Sequence, residues 1–335
     1  MPKFLIIQTA FIGDVVLATA VAEKLHAHYP DAQIDFLLRK GNEALLKGHP
    51  YLQKVYVWNK QAGKLKDLWR IAREVRREKY THVINIHRHA TSGFVTFFSG
   101  AQEKRGFNKN PFSWCYTQKA AHFFSKPEDE HYIHETERNQ WLIDDLTDAL
   151  PARPGLYPSP EDYEKVRGYK EQPYLCIAPS SVWFTKRYPA ARWAELLTAL
   201  PAHYKIYFLS GPEDAVMADE IIQLSDRKEC VNLGGKLSLM QSAALMQDAV
   251  MNYTNDSGPL HFASSVNAPA TAVFCSTHEC FGFGPLSEKR RLIELKGLYC
   301  KPCGIHGYNE CPQGHFRCAN DLITNDLLWW TSKEI

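Results

Sequence analysis

Four short stretches hold the residues best suited to chemistry. The first, TAFIGD at 9–14, places Asp14 directly behind Gly13, where an apolar run gives way to an alanine-rich segment. An acid there either caps the helix that follows, a contribution of ~0.5–2 kcal/mol, or presents a carboxylate that takes a proton from a substrate. Gly13 permits close backbone approach, and a helix N-terminus offers unpaired N–H groups. The stretch is neither G-x-G-x-x-G nor a P-loop, which argues against dinucleotide hydride chemistry.

The second stretch, APSSVWFTKRYP at 178–189, supplies the hydroxyls of Ser180, Ser181 and Thr185 beside Lys186 and Arg187. Hydroxyl donors with a point charge suit a diphosphate leaving group; a solvent loop with a capping serine is the plainer alternative. Lys186 sits among Trp183, Phe184 and Tyr188, which favours a functional role. The third, LSGPED at 209–214, sets Glu213 and Asp214 after a Gly-Pro turn, where either accepts from ribose hydroxyls or simply opens a helix. In the fourth, NDSGPLHFA at 255–263, Pro259 fits a first helical position with Asp256 or Ser257 as cap. Gly258 and His261 share that first turn, a natural seat for phosphate.

All four stretches fall where a strand gives way to a helix. Apolar runs at 3–8, 33–38, 54–58 and 82–86 read as buried strands, separated by helical spacing over 14–29 and 64–79. Residues 150–173 hold five prolines and two glycines and read as a linker, after which the alternation restarts at 174–179. The expected organisation is therefore a first α/β domain over 1–155, a linker over 156–173, and a second over 174–335. The second carries a cysteine-rich loop and an amphipathic terminal helix over the last residues. Two such sheets would enclose a cleft, with ligands at the carboxyl ends of the strands.

The chain of 335 residues is 45% hydrophobic and 23% charged, as in ordinary globular proteins, and its formal net charge of +2 supplies no global field for nucleic acid. The stretch 64–80 is locally basic: either a solvated helix face or a surface for an anionic substrate or an anionic membrane leaflet. No cleavable signal and no 18-residue apolar run is evident, so the expected location is cytoplasmic. Cys300, Cys303, Cys311 and Cys318 are spaced C-x2-C-x7-C-x6-C, with His306 and His315 interspersed. Four thiolates could hold a structural zinc, but the second pair lacks a CxxC, and a compact reduced loop near the donor site is the favoured reading. A disulfide suits a reducing compartment least.

Taken in order, the stretches resemble glycosyltransferase family 9, the ADP-heptose:lipopolysaccharide heptosyltransferases. The likeness rests on FIGDVVLATAVAEKLHAHYPDAQIDFL near the start, TKRYPAARWAELL, DSGPLH, and CKPCGIHGYNECPQGHFRCAND. It implies a GT-B fold, two Rossmann-like domains with parallel sheets facing a central cleft, the first binding acceptor and the second a nucleotide sugar. It implies inverting, metal-independent transfer, with no cofactor and ADP-heptose as donor substrate. Asp14 would be the general base and Lys186 would stabilise the departing diphosphate. Gly13, Ser180, Ser181, Thr185, Glu213, Asp256, Ser257, Gly258 and His261 would line the donor, with Asp214 competing for the role of Glu213. Arg70, Arg73, Arg88 and Lys104 would face an anionic glycolipid acceptor, with peripheral association at the inner membrane. The contrasting readings are a transferase for another nucleotide sugar, a nucleotide-sugar binder without catalysis, and a zinc protein that binds nucleic acid. The near-neutral charge speaks against the last.

Overall fold

The computed structural model describes residues 1–61 and 63–329. The chain divides into two compact units, Met1–Phe124 with Ile133–Tyr157, and Ser125–Tyr132 with Pro158–Ile335.

The first unit is built on β1 (Lys3–Ile7), α1 (Ile12–His28), β2 (Gln33–Arg39), β3 (Lys54–Trp58), α2 (Lys64–Glu78), β4 (His82–Asn85), α3 (Ala90–Phe98), β5 (Glu103–Phe107), β6 (Gln118–Ala120) and α4 (Glu135–Gln140). Its six strands run parallel in the order β3-β2-β1-β4-β5-β6. Parallel pairing forces each connection through a crossover, and helices cover both faces. The charged strand β5, EKRGF, lacks the apolar signature of a buried strand, yet Arg105, Gly106 and Phe107 are buried. Arg105 achieves this by pairing with Glu103 and Asp145. Helix α1 is buried nearly all round from Val15 to Ala22, rather than along one stripe, because the return of the chain covers its outer side. The Gly155 N–H donates to Thr19 Oγ1 at 2.9 Å and the Tyr157 hydroxyl to Glu23.

The second unit repeats the plan with α5 (Pro160–Val166), β7 (Tyr174–Ala178), α6 (Ala190–Ala199), β8 (Lys205–Phe208), α7 (Ala215–Ser225), β9 (Cys230–Asn232), α8 (Leu239–Gln247), β10 (Met251–Asn255), α9 (Gly258–Ser265), β11 (Ala270–Phe274), β12 (Arg290–Glu294) and α10 (Arg317–Asn320). Its strand order, β9-β8-β7-β10-β11-β12, is the same doubly wound pattern as in the first unit. In each sheet the order reverses between the first and fourth strands, and that switch point opens a crevice at the carboxyl ends.

Two expectations about the connections change. Most of the expected linker is folded into the second unit: Ser159 caps α5, Pro160 occupies its first turn, and Tyr163 donates to Gln247 of α8. The prolines there preset a helix start instead of a flexible tether. Residues 125–132 lie within the expected first domain yet belong to the second unit, where the Tyr132 ring meets His278 edge-on at 5.4 Å. The C-terminal segment packs on the second core through Leu322 and Leu327 as short turns up to Trp329; the rest of the expected terminal helix lies outside the described residues.

Gly93 of α3 tests the packing that holds the first unit. A Cβ there would clash with Asn110 Oδ1 and meet Phe112 Cβ at 2.8 Å. Gly93→Ala should lower stability by ~1–3 kcal/mol through overpacking, read as a drop in Tm.

Candidate active site

In the first unit, Asp14 stands at the switch point. Strand β1 ends at Ile7, Phe11 is the extended N-cap of α1, and Asp14 is the third helical residue. Its Oδ2 accepts from the Phe11 N–H at 3.1 Å, so it does close the helix N-terminus. Capping uses one carboxylate oxygen and leaves the other available. The half-buried setting pushes Asp14 up to about 6, chiefly by desolvation and then by the negative charge of Glu135; the Phe11 N–H and Arg88 pull the other way. A carboxylate tuned toward neutrality is a competent general base.

Glu135 supplies the neighbouring charge that the sequence does not reveal. It is buried at the start of α4, held by Arg138 Nε at 2.9 Å and Arg138 Nη2 at 2.8 Å, with His122 Nε2 at 3.5 Å. Burial favours its neutral form, but contacts with His122 and Arg138 win and hold it below the usual range, so it stays charged. Arg88 reaches His122 Nδ1 at 3.3 Å and lies over the Phe124 ring, as Arg138 does. His87, after β4, is bonded to Thr9 Oγ1 at 2.7 Å and pushed down to about 3. Burial is the main cause, followed by the positive fields of His89, Lys60, Arg88 and Arg39.

The cations expected on the acceptor side fall at separate places in the first unit. Arg88 is beside Asp14, but Arg70 is tied to Asp67, Glu74 and the Val57 carbonyl, and it lines a groove on α2 together with Arg73. Lys104 lies near the start of β5, opposite Val83, with Nζ bonded to the Ala101 carbonyl, which places it toward the amino end of the sheet. Arg39, the last residue of β2, and Lys60, just past β3, join Arg88 in the positive field around His87.

In the second unit the crevice between β7 and β10 is spanned by an ion pair. Lys186 Nζ lies 2.6 Å from Asp256 Oδ2, both side chains largely buried, and Thr277 Oγ1 donates to the same oxygen at 2.7 Å. Two residues expected to act separately on the donor are thus one unit. Asp256 holds the ammonium in place, and a diphosphate arriving there meets a fixed cation. Asn255, fully buried at the end of β10, pins the Lys186 loop by accepting from the Tyr188 N–H at 3.1 Å and donating to the Pro179 carbonyl at 2.6 Å.

Thr185, expected among the donor contacts, is engaged within the protein itself. Its hydroxyl accepts from the Tyr308 N–H at 2.8 Å and from Ser276 Oγ at 2.9 Å, and its backbone bonds to Tyr308 and Ser276. It therefore ties the Lys186 loop to the end of β11 and to the cysteine-rich loop. Gly307 makes that closeness possible: at φ +81°, a Cβ would meet Lys186 Cγ at 3.0 Å and Thr185 Oγ1 at 3.1 Å.

The remaining donor candidates divide between loops and helix starts, with Gly13 in the first unit and the others in the second. Ser181 is buried and its carbonyl accepts from Arg187 Nε at 2.6 Å, while Ser180 is half-buried. Ser257 is the N-cap of α9, whose first residue is Gly258, and no side chain caps that helix. His261 is buried with Nδ1 lacking a hydrogen-bond partner among the described residues, and burial pushes it down to about 4, so it presents a neutral ring. Glu213 is exposed in the turn Pro212–Asp214, while Asp214 lies 4.0 Å from Arg187 and so faces the Lys186 loop. Gly13 is half-buried at the second position of α1.

The four clustered thiols are free. Cys303 Sγ donates to the Cys300 carbonyl, Cys311 Sγ accepts from the Phe316 N–H, and Cys318 enters the second core. Among the described residues no group of three or more His, Cys, Asp or Glu could hold a metal ion. Glu135, Arg39 and Lys60 carry no local signal of function, and Thr277 and Asn255 carry only a weak one. Thr277 and Asn255 were open to detection, because both sit at strand ends.

Residues 68–310 match the family described as glycosyltransferase family 9 (heptosyltransferase). Lipopolysaccharide heptosyltransferase 3 of Escherichia coli is 27% identical over 288 residues, covering 80% of this chain and 81% of the relative. Lipooligosaccharide heptosyltransferase 2 of Haemophilus influenzae is 25% identical over 322 residues, 88% of each chain. The structure of E. coli ADP-heptose lps heptosyltransferase II superposes with a TM-score of 0.77 at 21% identity, covering 99% of this chain and 98% of that one. That likeness places the two Rossmann-like halves in the GT-B fold.

Asp14 carries a signature independent of turnover. Its proton is held more tightly in the folded chain than in the unfolded one, so native stability falls as pH rises from 3.8 to about 6, and the loss is complete above that. Asp14→Asn should therefore raise Tm at neutral pH, and the gain should vanish below the ordinary carboxylate pKa of 3.8. Glu135→Gln should draw the titration of Asp14 down from about 6, followed by carbon-13 NMR of labelled aspartate carboxyls.

Proposed function

From the premise that the chain belongs to glycosyltransferase family 9 (heptosyltransferase), we propose that it transfers a heptose from ADP-heptose to a lipopolysaccharide core or related surface-glycan acceptor, with inversion at the anomeric carbon. The observation that carries the mechanism is the division of charge: a carboxylate tuned to about 6 at one switch point, and a cation held by Asp256 at the other.

Asp14 takes the proton of the acceptor hydroxyl as its oxygen bonds to the anomeric carbon. The bond from that carbon to the diphosphate oxygen breaks, and ADP leaves with the electron pair. A single in-line displacement inverts the centre. Lys186 offsets the charge that develops on the diphosphate, as a preorganised cation does in a low-dielectric site. Because this lysine performs the task of a divalent ion, the proposed transfer is metal-independent and uses no cofactor. The N-terminus of α9 and the hydroxyls of Ser180, Ser181 and Ser257 complete the diphosphate seat, with the neutral, buried ring of His261 behind it. On the acceptor side Arg39, Lys60 and Arg88 suit phosphate or carboxylate groups of a glycolipid, and on this reading the enzyme works in the cytoplasm, peripherally at the inner face of the inner membrane.

The test is release of ADP from ADP-heptose in the presence of a core acceptor, beside parallel reactions with UDP- and GDP-sugars. Turnover with another donor alone would replace the heptose assignment, and donor binding without transfer would leave a binding protein. Asp14→Asn should lower kcat by ~10²–10⁴-fold while donor affinity is retained by calorimetry. Lys186→Ala should lower kcat by ~10²–10³-fold and weaken ADP binding as well. Unchanged kcat in Asp14→Asn would remove it as the base.

A further inference from the structure

The first unit carries a surface that the transfer chemistry does not use. Trp69 of α2 meets Phe94 and Phe98 of α3, each at 4.9 Å between ring centroids. Phe97 continues the chain to Phe98 at 4.8 Å and to Trp114 at 5.2 Å, and Phe112 lies 6.4 Å from Trp114. These six rings are contiguous, yet Trp69 is 42%, Phe97 37% and Trp114 67% exposed, with Leu65 beside them at 70%. An exposed apolar patch of this extent marks an interaction surface.

Its border is basic. Helix α2 carries six basic residues against three acidic ones, and the acids are already engaged: Asp67 and Glu74 with Arg70, Glu78 with Lys3 and Lys54. Lys66, Arg70, Arg73 and Arg77 share a groove with Trp69. On the other flank, Lys104 and Lys119 lie beside Cys115, the neighbour of Trp114. Tryptophan and phenylalanine rimmed by arginine and lysine is the chemistry of a headgroup boundary, where rings enter the acyl edge and cations meet lipid phosphates.

We propose that this aromatic face docks on an anionic lipid bilayer. A second copy of the chain is a poorer occupant, because self-pairing would set cations against cations. The proposal deepens the membrane placement given above, but it rests on the surface and not on the transfer step. The two fail separately, since a protein that releases no ADP can still bind vesicles.

The full chain is floated with vesicles of phosphatidylcholine alone and of phosphatidylcholine mixed with phosphatidylglycerol. It should float with the anionic vesicles, remain behind with the neutral ones, and detach as salt is raised. Lys66→Glu with Arg77→Glu should lower the partition coefficient by about fivefold or more for each cation removed. Trp114→Ser should weaken it without changing Tm or circular dichroism. Equal flotation with both vesicle types, or unchanged flotation of the variants, would overturn the proposal. So would a concentration-dependent dimer that Trp114→Ser abolishes, which would assign the patch to self-association.

Discussion

Parallel strand pairing is the constraint on which the rest depends. A parallel pair cannot be closed by a tight turn, so every connection must cross a face of the sheet and return at the same end. The carboxyl ends therefore collect loops, and the reversal of strand order leaves a gap into which two of them point. In the first unit those loops deliver Asp14 and the His87–Arg88 segment; in the second they deliver Lys186 and Asp256. The same topology used twice yields two crevices, and their chemistry differs only through the side chains at the loops.

Each crevice holds charge where water is scarce, and each handles the desolvation cost in its own way. Lys186 and Asp256 neutralise one another at 2.6 Å, with Thr277 taking up part of the remaining acceptor capacity. Breaking such a pair leaves an uncompensated charge, which is costlier than never having built it. Asp14 follows the opposite course. Its nearest compensation is a backbone N–H, while the fully paired Glu135 adds repulsion, so proton affinity rises. One site fixes a charge; the other keeps a proton acceptor near the point of exchange.

Legibility followed the range of each interaction. The apolar runs that became β1, β2, β7 and β11 were plain because burial on both faces writes a continuous hydrophobic signal. Strands β5 and β12 were obscure, since EKRGF and RRLIE carry charges that only partners elsewhere in the chain allow. The prolines of 150–173 signalled a break in pattern truthfully, but what they preset was a capped helix on the second unit.

The sequence by itself determined the alternating α/β plan, the four strand-end loops, and the family likeness they carry in order. These depend on neighbours within a few residues and on periodicity, which one chain displays in full. Only tertiary structure decided that Glu135 acts on Asp14 from 121 positions away, that Lys186 and Asp256 are one pair, and that Thr185 braces a loop. It also gathered Arg39, Lys60 and Arg88 around His87, while Arg70 and Arg73 stay on α2. Electrostatic energy depends on distance and local dielectric, and neither exists until the strands have set their register.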